Sequence, residues 1–294
     1  MTNEPAFGQE WGNAGIARPE KFCRRYYLAY RVLCRQSLCF MQNFMHMNAA
    51  AAGMLRQYEY KAAGEENRMD FRISSYGEPD ADIILFQMVD DHDLEGIEKE
   101  IACIRELSGG KPFCLRTFHV NSWNTDLSPW EAPAVFGNEA FGDGAPRTLD
   151  FLLNELSSCP VKGRVFLGGY SLAGLFALWA GYQTDCFRGI AAASPSVWFP
   201  GFTDYMKDNK LHADAVYLSL GDREEKTRNP VMARVGDAIR EAYDHLQKAG
   251  TDCVLEWNKG NHFKDADLRT AKAFAWLMNR EEAECLQRRK QGWR

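Results

Sequence analysis

The chain has 294 residues, 46% hydrophobic and 26% charged, an ordinary globular composition with room for one large domain. Its net charge of −5, with acids and bases interspersed, offers no basic face for phosphates and excludes nucleic acid as the main partner. Nine scattered cysteines, none in C-x-x-C spacing, exclude a zinc knuckle or redox motif and fit a reduced, cytoplasmic protein with buried free thiols.

Residues 1–68 read as an N-terminal extension of unknown role, and residues 69–294 as the folded domain. The extension alternates basic and aromatic residues through Lys21-Phe22-Cys23-Arg24-Arg25-Tyr26-Tyr27, then runs uncharged over 36–55. Gln36, Ser37, Gln42, Asn43, His46 and Asn48 interrupt that run, so it is read as neither a membrane span nor a signal sequence. From Met69 onward, strand and helix patterns alternate, the signature of a parallel sheet with crossover helices. Strands are expected over 70–74, 81–89, 113–120, 165–169, 189–193, 215–220 and 253–257. The run Ile83-Ile84-Leu85-Phe86 is too short for a helix and suits a buried strand. Asp93 reads as the cap of a helix with Leu94, Ile97, Ile101 and Ile104 on its apolar face, stopped by Gly109-Gly110. Thr148 reads as the cap of a helix lined by Leu149, Leu152, Leu153 and Leu156, and Asn229 and Pro230 as the N-cap and first residue of another. A final helix is lined by Leu268, Ala271, Ala275 and Met278, with a polar, solvated tail after Glu281. The segment between 121 and 146, rich in Gly and Pro, is longer than a connection needs, and such loops tend to carry function.

The stretch Arg164-Val165-Phe166-Leu167-Gly168-Gly169-Tyr170-Ser171-Leu172-Ala173-Gly174-Leu175-Phe176 starts as an apolar strand and ends as an apolar helix. Between them sits a serine flanked by small residues. A strand that turns sharply into a helix exposes the side chain at the turn, and only small neighbours let the two backbones cross. This is a nucleophile elbow, with Ala173 standing where the usual Gly-x-Ser-x-Gly pattern has its last glycine.

In open parallel sheets, ligands bind beyond the carboxyl ends of the strands. Three suitable groups fall at such ends: Ser171, the acids after Gly221, and His262. Nucleophile, acid, base is the chain order of α/β-hydrolases. A serine hydroxyl becomes nucleophilic when an imidazole takes its proton, and a carboxylate fixes the imidazole's tautomer. Of the six histidines, His262 is the one that follows a late strand and precedes a terminal helix. Gly221-Asp222-Arg223-Glu224-Glu225 supplies the acid: Glu224, three residues past the strand-end glycine, with Asp222 as the alternative. The oxyanion needs two backbone N–H donors. Leu172, after the nucleophile, is one, and Val89 or Asp90, in the loop after the 81–89 strand, is the other. The cluster Asp90-Asp91-His92-Asp93 reads as a loop with acids at a helix start rather than as a metal site. Trp123, Trp198 and Phe263 are expected to wall the site for an acyl or aryl group; Trp130 either joins them or packs its own loop.

These residues resemble an α/β-hydrolase of the esterase group that includes S-formylglutathione hydrolase (esterase D) and the siderophore trilactone esterases. The resemblance covers residues 70–280. It lies in Gly169-Tyr170-Ser171-Leu172-Ala173-Gly174-Leu175-Phe176-Ala177, in Ala193-Ser194-Pro195-Ser196-Val197-Trp198, in Gly221-Asp222-Arg223-Glu224 and in Gly260-Asn261-His262-Phe263. It implies an α/β fold, a mostly parallel central sheet with helices on both faces. It also implies a carboxylic ester hydrolase without a cofactor, acting on a small-molecule ester through an acyl-enzyme. An acyltransferase using the same three groups, or a non-catalytic binding protein on the same scaffold, are the alternatives.

Overall fold

Strand and helix patterns between 71 and 291 resolve into a seven-stranded sheet sandwiched by helices. The computed structural model describes residues 71–158 and 163–291; the N-terminal extension and its uncharged stretch lie outside the described residues. The strands are β1 (Arg72–Gly77), β2 (Ile83–Val89), β3 (Cys114–His119), β4 (Arg164–Tyr170), β5 (Gly189–Ala193), β6 (Ala215–Gly221) and β7 (Asp252–Asn258). Their order in the sheet is β1-β3-β2-β4-β5-β6-β7. All neighbours run parallel except β1, which pairs antiparallel with β3 from Arg72↔His119 to Gly77↔Cys114.

The helices are α1 (Asp91–Leu107), α2 (Trp123–Asp126), α3 (Ala145–Ser158), α4 (Leu172–Ala180), α5 (Phe202–Asp208), α6 (Val235–Lys248) and α7 (Ala266–Gln291). Side chains alternate across a strand, so β2 feeds two cores. Ile83 and Leu85 pack with Ile97, Ile101 and Ile104 of α1 and Phe274, Leu277 and Met278 of α7. Ile84, Phe86 and Met88 pack on the other side with Leu149 and Leu152 of α3, all of α4 except its glycine, and Val235 and Ile239 of α6. This is the three-layer α/β-hydrolase architecture. From β2 the chain winds outward to β3, and from β4 the opposite way to β7, so the winding reverses between β2 and β4. Such a reversal opens a crevice at the carboxyl ends of the strands, and Ser171 follows β4 at that point.

Several element ends differ from the sequence reading. The first strand begins at Arg72 rather than 70 and runs on to Gly77, whose left-handed backbone (φ 83°) turns the chain away. The cap of α1 is Asp90, not Asp93: its extended backbone makes it the last non-helical residue. Its carboxylate accepts from the Asp93 N–H at 2.8 Å while Asp93 accepts from the Asp90 N–H at 3.2 Å. Thr148 lies inside α3, which starts at Ala145 because Pro146 suits a first helical turn where no N–H is needed. Its hydroxyl instead donates to the buried Asp126 carbonyl at 2.7 Å. Asn229 does accept from the N–H groups of Val231 and Met232, but that turn is 3₁₀ (Met232–Arg234) and α6 begins only at Val235. The tail after Glu281 continues α7 to Gln291, as its Glu, Ala, Gln, Arg and Lys content favours. Helix α5 was not expected; it is a two-turn element anchored by buried Phe202 and Met206.

Candidate active site

The elbow forms because three small residues leave room for it. Ser171, between β4 and α4, sits at φ 58° and ψ −118°, a conformation that non-glycine residues rarely adopt. It is held there from both sides: its N–H donates to the Ala193 carbonyl (3.1 Å), and its carbonyl accepts from the Ser196 N–H (3.0 Å). A Cβ at Gly169 would come within 2.5 Å of the Ala173 methyl, and one at Gly174 within 3.0 Å of the Gly169 carbonyl oxygen. Ala173 therefore occupies the space that Gly169 leaves open, and the crossing tolerates one methyl but not two.

His262 and Glu224 meet Ser171 from the two loops beyond. His262 Nε2 lies 2.9 Å from Ser171 Oγ, and His262 Nδ1 lies 2.7 Å from Glu224 Oε2. Burial alone would push the Glu224 carboxyl up, but hydrogen bonds from His262, the Gly221 N–H and Ser194 pull it below the ordinary glutamate value. An ionised carboxylate can only accept, so the imidazole proton sits on Nδ1 and Nε2 is left to accept from the serine hydroxyl. Ser196 Oγ stands 3.4 Å from Ser171 Oγ; with the Ser171 proton directed at His262, the Ser196 hydroxyl is the donor of that pair.

Glu224 is buried and its two oxygens are used differently. Among the described residues, Oε2 meets only the imidazole. Oε1 accepts from the Gly221 N–H (2.7 Å), Ser194 Oγ (2.9 Å) and Arg269 Nη1 (2.7 Å). Sequence reasoning missed Arg269, Ser194, Ser196 and the role of Tyr170. Arg269 lies on α7, and its side chain is 1% exposed. Nη1 also donates to Tyr170 Oη (3.0 Å) and Ser194 Oγ (3.1 Å), and Nη2 to the Asn261 carbonyl (3.0 Å). Tyr170 Oη in turn donates to the His262 carbonyl at 2.7 Å. Burial drives the Tyr170 phenol up to about 12, so it stays a neutral donor. A signal was present in the sequence: Arg269 heads the stripe Arg269-Ala273-Leu277, spaced i, i+4, i+8 with two buried apolar members.

Other expected residues are distributed as follows. Asp222, the alternative acid, is exposed and accepts the Gly260 N–H at 2.8 Å, the contact that lowers its carboxyl below the ordinary value. Leu172 opens α4, and the first N–H groups of a helix have no intrahelical acceptor. The Asp90 N–H is engaged by Asp93, and the Val89 carbonyl accepts from the Val120 N–H at 2.9 Å. In the neighbouring acidic cluster, Asp91 pairs with His119 at 2.8 Å and His92 with Glu95. Among the described residues, no group of three or more His, Cys, Asp or Glu side chains is placed to hold a metal. Trp123 packs against the core, Trp198 meets Phe136 and Phe141 edge-on, and Phe263, 86% exposed, touches the His262 ring, so the three aromatics have different neighbours. Trp130 packs its own loop: its indole N–H donates to the Pro200 carbonyl (3.0 Å), and its ring meets Phe199, Phe202 and Tyr205. A cavity of about 490 Å³ beside the His262 loop is lined by Asp222, Arg223, Lys259, Gly260, Asn261 and Lys264. No helix among the described residues is long and apolar enough to cross a membrane.

Comparison with solved structures returns proteins of the same architecture. The chain is similar to an IroE-like serine hydrolase from Shewanella oneidensis, at 16% identity over 71% of this chain and 75% of that one, with a TM-score of 0.59. It is similar to the siderophore hydrolase EstA from Aspergillus nidulans, at 17% identity over 79% of this chain and 99% of that one, with a TM-score of 0.58. It is also similar to the enterobactin esterase FES from Shigella flexneri, at 15% identity over 78% of this chain and 60% of that longer one, with a TM-score of 0.53. At these identities the likeness shows the fold. No protein-family model and no curated protein matches the chain.

Proposed function

We propose that the chain is a serine esterase, a carboxylic ester hydrolase, with Ser171 as nucleophile, His262 as base and Glu224 as the acid that orients it. The observation that carries this is the continuous path Ser171 Oγ–His262 Nε2–His262 Nδ1–Glu224 Oε2, with links of 2.9 and 2.7 Å, spanning three strand ends in the order the mechanism needs. As Ser171 Oγ attacks the ester carbonyl, its proton passes to His262 Nε2 and the carbonyl oxygen takes the electron pair. Collapse of this tetrahedral species expels the alcohol, which leaves with the proton from His262, and the acyl group stays on Ser171. Water then attacks the acyl carbon, giving its proton to His262; the second collapse releases the acid and returns that proton to Ser171.

The developing oxyanion is assigned to the Leu172 N–H and to a second backbone N–H at the end of β2, Val89 or Asp90. Trp123, Trp198 and Phe263 remain the assigned substrate contacts. The domain is assigned to residues 69–294, and the reaction calls for no cofactor. Free thiols at Cys103 and Cys253 fit a cytoplasmic location. Two of the similar proteins are a siderophore hydrolase and an enterobactin esterase, which makes esters of that kind the first natural substrates to try after simple ones.

The test is hydrolysis of short and medium p-nitrophenyl esters by the full chain beside Ser171→Ala. Loss of the nucleophile is expected to lower the rate by about 10³-fold or more. A variant as active as the parent overturns the assignment.

A further inference from the structure

The Ser171–His262–Glu224 path does not account for a guanidinium buried directly beneath it. Arg269 comes from α7, on a different element from all three groups, and reaches each of their loops. It touches Glu224 Oε1, the Tyr170 hydroxyl one residue before the nucleophile, Ser194 at the end of β5, and the Asn261 carbonyl one residue before the base. A core this apolar does not hold an unpaired cation, so the contact with Glu224 is a condition of the fold. What it adds for the reaction follows from which oxygen it takes.

We infer that Arg269 is a positioning residue of the reaction. It pins Glu224 by Oε1 so that Oε2 alone meets the imidazole, and it holds the His262 loop through the Asn261 carbonyl and, by way of Tyr170, the His262 carbonyl. Its charge sets how readily the Glu224–His262 pair takes up a proton. This rests on the serine-esterase reading above.

The electrostatic part has a definite sign. A fixed positive charge 2.7 Å from Glu224 opposes a second positive charge arriving on His262. Removing it makes the pair bind its proton more tightly, whichever partner carries it, because the two titrate as one unit. The other groups facing the pair do not change charge between pH 5 and 9. Tyr170 on β4 is held neutral, mainly by burial, and Asp222 in the acid's own loop stays ionised. Arg269 is thus the charge that a substitution can remove cleanly. The geometric part is separable from it: Tyr170→Phe cuts the Arg269–Tyr170–His262 link and leaves every charge in place.

The experiment is the rate of covalent labelling of the full chain by a fluorophosphonate across pH 5–9, with the modified peptide identified by mass spectrometry. It requires no knowledge of the natural ester. In the parent, labelling at Ser171 rises with pH as the pair loses its proton. For Arg269→Gln the midpoint is expected about one unit or more higher, and labelling at pH 7 slower by about fivefold or more. Arg269→Lys, which keeps the charge and loses the fork, is expected to hold the parent's midpoint with a lower plateau, and Tyr170→Phe to do the same. A folded Arg269→Gln with the parent's midpoint overturns the inference. Should that variant fail to fold by circular dichroism, Arg269→Lys and Tyr170→Phe decide, and parent-like plateaus in both overturn it. A parent that is not labelled, or is labelled away from Ser171, overturns the serine reading and the inference with it. Labelling at Ser171 with an unmoved midpoint overturns the inference alone.

Discussion

Among the described residues, two glutamates are buried under opposite conditions. Glu224 has three donors on one oxygen and an imidazole on the other, and its carboxyl is held below the ordinary value. Glu100, on α1, has one donor, the Gln87 amide at 3.3 Å, and burial pushes its carboxyl well above the ordinary 4.5. Its Oε1 and the Gln87 Oε1 are both buried without a partner among the described residues. The protonated form is the one that adds a donor to a place short of donors. Depth below the surface is nearly the same, 8% and 3% exposed; the count of donors decides the charge. An ionised carboxylate inside a protein is therefore a structure that has to be built, and around Glu224 it is built from four separate segments.

That contrast is broken most severely at Glu224. Glu224→Gln keeps the shape but strands Arg269 without its counter-charge, a loss of about 3–5 kcal/mol. For a domain of this size the melting temperature should fall by on the order of 10 °C. The same change removes the group that orients His262, and ester hydrolysis should drop about 10³- to 10⁴-fold. Thermal melts and rate assays on one preparation check both, and a stable, active variant would contradict the description of this cluster.

Glu100→Gln should act the other way. Glu100 holds its proton more tightly folded than unfolded, so its contribution to stability is complete below about pH 4.5 and declines as pH rises toward the folded value. The substitution removes that decline. Melting temperatures of variant and parent should agree near pH 4 and separate by a few degrees in the variant's favour near pH 8. Equal curves across the range would mean that Glu100 is ionised in the fold. For Glu224 the sign is reversed, its stabilisation being present above the ordinary value and lost as pH falls.

The smallest effect belongs to Asp222. Asp222→Asn keeps an oxygen for the Gly260 N–H and alters an exposed charge, so hydrolysis should stay within about threefold of the parent. A collapse of activity there would make Asp222 the acid instead of Glu224.

The readable and unreadable parts of this site divide along the same line as the two glutamates. Ser171, Glu224 and His262 could be picked out because each stands at a fixed offset from an apolar strand, a signal confined to a few neighbouring residues. Arg269 is harder to read: it heads a stripe whose other members are apolar, but the partner that gives it meaning lies 45 positions away. Ser194 and Ser196 were noticed as a motif, yet their hydroxyls acquire roles only when β5 is laid beside β4 and β6. The two misjudged caps, Asp93 and Thr148, share a cause. Both are good capping residues inside the first turn of helices that begin earlier, where Asp90 and the Gly144-Ala145-Pro146 segment decide the start. Helix α5 was missed because two turns give too few residues for a periodicity to show.

Gly221 has a consequence for how such a chain can change over generations. A side chain there would fall on the Gly260 carbonyl, and the same two loops are joined by Asp222 N–H to the Asn258 carbonyl (2.8 Å) and Arg223 N–H to the Gly260 carbonyl (3.1 Å). The loop that carries Glu224 and the loop that carries His262 touch backbone to backbone, a contact with little slack to absorb a shift. Drift in one must be answered in the other. The two loops form a single block, and change in what the site accepts is left to segments that this block does not hold.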